Sequence, residues 1–235
     1  MDQHGHESVM DNLGILVIDC QNDFCEGGSL AVPHAERAIA QINALRRVVP
    51  RDKVSLVVTT ADYHPPRHVS FAATHGDAVA PFTTIQVPAR RSDDAEVQRP
   101  AHEQILWPQH CVAGTKGADL HPALELDGAE LLFHKGVEEH VDAYSAFFDN
   151  TRTLHTGLHD VLSSHKVTRL VCVGIATDVC VYETVKHALE LGYQVLVVTE
   201  CCAAVSEENA RAALADMQAR GAIVVPDANA LVQTI

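Results

Sequence analysis

The stretch LVCVGIATDVCVYETVKHALELG (residues 170–192) changes period halfway along. Residues 170–175 form a continuous apolar run, the pattern of a strand buried on both faces of a parallel sheet. After Asp178 the apolar residues recur at helical spacing, and Gly192 supplies a helix stop. A strand that runs straight into a helix is half of a βαβ unit, which implies the same alternation elsewhere in the chain.

It is found on both sides. The apolar runs GILVID (14–19), VSLVVTT (54–60), AELLFHKG (129–136), TRLVCVGI (168–175), YQVLVVT (193–199) and AIVVP (222–226) read as six strands. HAERAIAQINALRRVV (34–49), LHTGLHDVLSSH (154–165), residues 178–191 and SEENARAALADMQARG (206–221, with Ser206 as cap) read as helices. This order predicts a three-layer α/β/α fold around a six-stranded, mainly parallel sheet, Rossmann-like in topology, with right-handed crossovers. Residues 13–235 are expected to form one domain, and MDQHGHESVMDN (1–12) a loose polar tail. Residues 61–128 show little periodicity, and ARRSDDAEVQRPAHE (89–103) reads as an exposed flap.

Composition narrows the function. A formal net charge of -14 argues against nucleic acid and anionic membranes as partners. No apolar run approaches the roughly 20 residues of a membrane span. The start of the chain lacks a signal-peptide core, and the seven cysteines show no disulfide or zinc-ribbon spacing, so a reduced, cytoplasmic protein is expected. No Gly-rich nucleotide fingerprint follows the first strand.

In parallel sheets of this kind, sites lie at the carboxyl ends of the strands. Asp19 ends the first strand; Asp62, His64 and His68 follow the second; Lys135 ends the third; Cys180 opens the helix after the fourth. Taken singly, each has a plain structural explanation: a turn cap, a solvated lysine, a small core thiol. Their convergence on one edge is what points to chemistry. A helix N-terminus and a nearby lysine favour thiolate, and a carboxylate can take the thiol proton, so Cys180 is a candidate nucleophile. Asp62 and His64, two apart on an extended segment, project to one side about 7 Å apart at their Cα atoms. With His110 and His68 as further candidates, they suit a divalent ion such as zinc, manganese or iron.

The blocks LVIDCQNDFCEGGSLAV, TADYHPPRHVSF, LWPQHCVAGTKGADLHP, FHKG and GIATDVCVYETVKHAL, in this order, resemble the nicotinamidases of the isochorismatase-like cysteine hydrolase superfamily. The resemblance covers nearly the whole chain. It implies a catalytic triad of Asp19, Lys135 and Cys180. It implies an oxyanion hole from the backbone N–H groups of Ala176 and Cys180, with a cis peptide before Ala176. Asp62, His64 and His110 would hold one divalent ion, zinc before manganese or iron, with His68 as a fourth or outer ligand. Phe24, Leu30, Trp107, Tyr144 and Ala176 would line the pocket. The implied reaction is hydrolysis of nicotinamide, or similar pyridine and pyrazine carboxamides, through a cysteine thioester in NAD salvage. Some relatives carry histidine where this chain has Val179, which implies a varied pocket wall. The nearest rival is a metal-independent small-amide amidohydrolase of the same superfamily. A silent binding protein and a metallohydrolase with a structural Cys180 are more distant rivals. The sequence leaves self-association into a homo-oligomer open.

Overall fold

A computed structural model describes residues 12–91 and 98–235. The expected tail falls outside the described residues except for Asn12, whose carbonyl accepts from the N–H groups of Thr168 and Arg169. Part of the expected flap, residues 92–97, also lies outside them.

In chain order the elements are β1 (Leu13–Ile18), α1 (Ala35–Val48), β2 (Val54–Asp62), β3 (Thr84–Val87), β4 (Arg90–Arg91), β5 (Gln98–Arg99) and β6 (His102–Ile105). They continue with β7 (Leu131–Lys135), α2 (Leu158–Ser164), β8 (Arg169–Ile175), α3 (Tyr182–Glu190), β9 (Gln194–Ala203), α4 (Glu207–Ala219), β10 (Ile223–Val225) and α5 (Ala228–Thr234). The main sheet has six strands in the order β10-β9-β8-β1-β2-β7, and every pairing is parallel. The fold class read from the sequence is therefore the one observed.

Burial explains the order. All six residues of β1 and all seven of β8 are buried, as expected of strands covered on both faces. Their side chains alternate between two cores. Ile15, Val17, Val171 and Val173 pack with Ile39, Ile42 and Leu45 of α1. Leu16, Ile18, Leu170 and Cys172 pack with Leu158 and Leu162 of α2, Val185 of α3 and Met217 of α4. Among the described residues no helix is long and apolar enough to cross a membrane.

The chain leaves β1 toward β2 and β7 on one side and returns to β8, β9 and β10 on the other. The carboxyl ends of β1 and β8 therefore flank a topological switch point, where open α/β sheets form their ligand crevice. Gly174 sits there, opposite Ile18, with φ +127°. A Cβ at this position would lie 2.1 Å from the Ile18 carbonyl oxygen and 2.7 Å from its nitrogen, both backbone atoms. Gly174→Ala should therefore destabilise the protein by more than about 2 kcal/mol, measured by denaturant unfolding. A loss under about 0.5 kcal/mol, the range of neutral surface changes, would contradict this close approach.

The segment between β2 and β7 is not featureless. β3 pairs with β6, and β4 with β5, as short antiparallel ladders. Beyond them the chain is pinned back to the strand β2 exit by two isolated bridges, Phe71 with Trp107 and His64 with Val112.

Candidate active site and metal centre

Asp19 follows β1 in a left-handed conformation, φ +50°. Its N–H donates to the Thr60 carbonyl at 3.1 Å, and Thr60 Oγ1 donates to Asp19 Oδ1 at 2.7 Å. Asp19 Oδ2 accepts no well-aligned hydrogen bond, but lies 2.9 Å from Lys135 Nζ. Lys135 is the last residue of β7, in register with Asp62. Its ammonium also reaches Asp62 Oδ1 at 2.5 Å, the Ala143 carbonyl at 3.0 Å and Cys180 Sγ at 3.4 Å. The Cys180 sulfur and the two carboxylates lie within 4.8 Å of one another. All four side chains are buried.

Cys180 lies in a π-type turn, Thr177–Val181, that leads into α3. The Ala176 carbonyl accepts from the N–H groups of Val179 and Val181, both at 3.0 Å, and passes over that of Cys180. The Ile175–Ala176 peptide is cis, as the resemblance implied. Asp178 anchors the turn by accepting from the N–H groups of Val205 (3.0 Å) and Ser206 (2.9 Å) after β9.

The protonation states depart from one sequence expectation. Helix entry and Lys135 were expected to favour thiolate. In the structure burial dominates and holds the Cys180 thiol well above its usual value; Lys135 opposes this and Asp19 reinforces it. This direction favours the protonated thiol, for which Asp19 stands as the base during attack. Burial also raises Asp19, to about 6, with Lys135 opposing and Asp62 reinforcing. Asp62 goes the other way: burial would raise it, but Lys135 and then His64 hold it well below the carboxylate range. Burial would lower Lys135, yet Asp19 and Asp62 keep it charged.

Beside this group stands a second cluster. Asp62 Oδ2 is 3.7 Å from His64 Nε2 and 4.0 Å from His110 Nε2. The Nδ1 of His64 contacts the Gly136 carbonyl at 2.8 Å, and that of His110 the Pro108 carbonyl at 2.8 Å. An Nδ1–H donated to a backbone carbonyl leaves the Nε2 lone pair free, the usual arrangement of metal-ligating histidines. Charge supports the same reading. Asp19 and Asp62 bury two potential negative charges against the single ammonium of Lys135, and a nearby cation would compensate. Asp62, His64 and His110 thus fit a divalent ion. His68 is not grouped with Asp62 and His110; its ligand atom lies within 4.8 Å of those of His64 and Asp142 instead. Its Nδ1 contacts Ser70 Oγ at 2.7 Å, its Nε2 faces the Val141 carbonyl at 3.3 Å, and its ring stacks on His64 at 4.1 Å. It supports the His64 ring from behind.

The two clusters open into one pocket. Its wall includes all five expected residues, Phe24, Leu30, Trp107, Tyr144 and Ala176, together with Asp62, His110 and Cys180. Val179 lines it too, so the departure at that position does change the pocket wall. Trp107 Nε1 donates to Tyr144 Oη at 3.2 Å, which orients both rings. Sequence reasoning missed three supporting residues. Gln21 clamps the Asp62 backbone, accepting from its N–H and donating to its carbonyl, both at 2.8 Å. Gln104 donates to Asp142 Oδ2 at 3.2 Å and to Tyr144 Oη at 3.0 Å, and Asp142 lines the pocket. Gln21 stands two residues after Asp19, which was a signal; Gln104 and Asp142 carried none.

The family model described as Isochorismatase domain matches residues 14–228. A nicotinamidase of Escherichia coli (strain K12) is 40% identical over 210 residues, 88% of this chain and 92% of that protein. The structure of the yeast nicotinamidase bound to the inhibitor nicotinaldehyde superposes with TM-score 0.84 at 31% identity, covering 92% of this chain and 100% of that one. The pyrazinamidase of Pyrococcus horikoshii in complex with zinc superposes with TM-score 0.71 at 28% identity, covering 92% and 99%.

Proposed function

The chain belongs to the isochorismatase family, and we propose that it hydrolyses nicotinamide to nicotinate and ammonia. The observation that carries this reading is that Cys180, contacted by Lys135, which in turn pairs with Asp19, lines the same pocket as Asp62 and His110. The similarity to a nicotinamidase and to an enzyme solved with nicotinaldehyde supports the same substrate.

Each step uses a side chain of this site. Asp19 Oδ2, free of well-aligned donors, takes the thiol proton as Cys180 Sγ attacks the carboxamide carbon. Lys135, held between both carboxylates, offsets the charge that Asp19 and the sulfur carry. The N–H groups of Ala176 and Cys180 receive the developing oxyanion. Asp19 returns the proton to the departing nitrogen, releasing ammonia and leaving a thioester. Asp19 then deprotonates a water that attacks the thioester, and nicotinate leaves as Cys180 recovers its proton. Asp62, His64 and His110 would hold the divalent ion, zinc first, whose Lewis acidity would bind the pyridine nitrogen and orient the ring. Trp107, Tyr144 and Phe24 would flank a flat ring, so pyrazine carboxamides would also fit. We place the reaction in cytoplasmic NAD salvage.

The test is direct. Nicotinamide should yield nicotinate and ammonia in equal amounts. Benzamide, which has no ring nitrogen, should react at least about tenfold more slowly in kcat/KM, the loss of one good polar contact. A protein that spares nicotinamide but hydrolyses an aliphatic carbamoyl amide would be the metal-independent rival instead.

A further inference from the structure

Away from the active site, three side chains of different type converge. The ligand atoms of Cys25, Glu36 and His121 all lie within 4.8 Å of one another. They come from three separate segments. Cys25 closes the short turn Asn22–Phe24, Glu36 sits in the first turn of α1, and His121 follows the turn Lys116–Ala118. We propose that Cys25, Glu36 and His121 form a second divalent metal site, of zinc type, that ties these segments together.

Thiolate, carboxylate and imidazole are the donors zinc takes, and with a water they complete a tetrahedron. Bonds of about 2.0–2.3 Å place tetrahedral ligand atoms about 3.3–3.8 Å apart, so the side chains need close by no more than about 1.5 Å. The donors are available. The His121 ring makes one long hydrogen bond, Nδ1 accepting from the Ala123 N–H at 3.3 Å, so Nε2, which no described residue binds, becomes a ligand once the ring proton moves to Nδ1 and that long bond is given up. One oxygen of Glu36 accepts from the Glu26 N–H, which holds the carboxylate in place. Charge also balances: a Cys25 thiolate and the Glu36 carboxylate neutralise a divalent ion, with His121 neutral. Cys25 is buried, while Glu36 and His121 are half-exposed, so an ion has a route in from solvent.

Without an ion Cys25 keeps its proton, since burial, with Glu36 adding to it, pushes the thiol up to about 12. Binding therefore breaks the Cys25 S–H bond as the sulfur–metal bond forms, and the proton leaves to solvent. The consequence is positional. The His121 N–H already donates to the Cys20 carbonyl at 2.8 Å, next to Asp19. Phe24, on the pocket wall, is the neighbour of Cys25. An ion here would brace the loop that carries both.

Cobalt(II) titration tests this, because thiolate ligation gives a near-ultraviolet charge-transfer band that a carboxylate–histidine site lacks. The band should appear in the wild type, in Cys180→Ala and in His64→Ala, and vanish in Cys25→Ser. Zinc bound per chain, by elemental analysis, should fall by one equivalent in Cys25→Ser. Glu36→Gln, at a half-exposed helix turn, should weaken cobalt binding at least tenfold and serves if Cys25→Ser does not fold. No band in the wild type, a band that survives Cys25→Ser, or unchanged affinity in Glu36→Gln would overturn the site. None of these readouts depends on amide hydrolysis, so they fail or succeed independently of the proposed reaction.

Discussion

Cys180→Ala should lower kcat for nicotinamide by at least about three orders of magnitude, with the fold intact. The expectation rests on where the sulfur sits. It is within hydrogen-bonding reach of the Lys135 ammonium at 3.4 Å, within 4.8 Å of the Asp19 carboxylate, and on the pocket wall. Asp19 and Lys135 cannot replace it as a nucleophile, because one serves as base and the other is held charged by both carboxylates. Cys172→Ala is the matched control. Cys172 is as deeply buried, in the middle of β8, but packs only with the apolar core. Its loss should cost about 1–2 kcal/mol through a small cavity and leave kcat within about twofold. Activity above about one per cent in Cys180→Ala would mean that this thiol is not the nucleophile, since triad nucleophiles carry far more than a factor of one hundred.

The protonation state sharpens that expectation. A thiol held neutral by burial should react with a small alkylating reagent only slowly in the absence of Asp19, because the base is what makes the thiolate. The sequence pointed to a helix N-terminus as the activating device. The structure places Cys180 in a π-type turn that runs directly into α3, with the expected carboxylate, Asp19, close by. Local pattern could not show this, because the balance between burial and Lys135 depends on three strand ends meeting in space.

The sheet was legible for a simple physical reason. β1 and β8 are covered on both faces, so their residues are apolar without interruption, and the helices between strands keep a clear 3.6-residue period. Legibility failed where tertiary contacts replace local pattern. α2 was expected from residue 154, but Gly157 takes φ +83° and the helix begins at Leu158, while His155 bridges to Phe148. α5 was not anticipated, since seven residues ending the chain with one buried leucine carry little periodic signal. Residues 61–128 showed no period because bridges and single hydrogen bonds fix them. The backbone N–H of Trp107 donates to the Ser70 carbonyl at 2.7 Å, and that of His64 to the Cys111 carbonyl at 3.0 Å. Those contacts bring His110 to Asp62 and His64; residue type made it one of two further candidates, and the family resemblance chose it over His68.

Removing the metal by chelation should suppress nicotinamide turnover by at least about a hundredfold, and added zinc should restore it. The reading gives the ion to substrate binding and Cys180 to bond making, so the chelated protein should keep an alkylatable Cys180. His64→Ala and His110→Ala should behave like the chelated enzyme, because one ligand lost from three in an open site removes most of the affinity. Asp62→Ala should be worse than either. Asp62 Oδ1 also lies 2.5 Å from Lys135 Nζ, so its removal both weakens the metal site and leaves Lys135 with Asp19 as its sole carboxylate partner among the described residues. His68→Ala should be milder, since its ring nitrogens face Ser70, Val141 and Asp142 and its ring stacks on His64. Loss of a buried stacked ring should cost chiefly metal affinity that excess zinc recovers. The His64→Ala comparison also separates this site from any ion at Cys25, which chelation would strip as well. Full activity in a demonstrably metal-free sample would remove the metal from substrate binding and leave the cysteine triad as a metal-independent amidase.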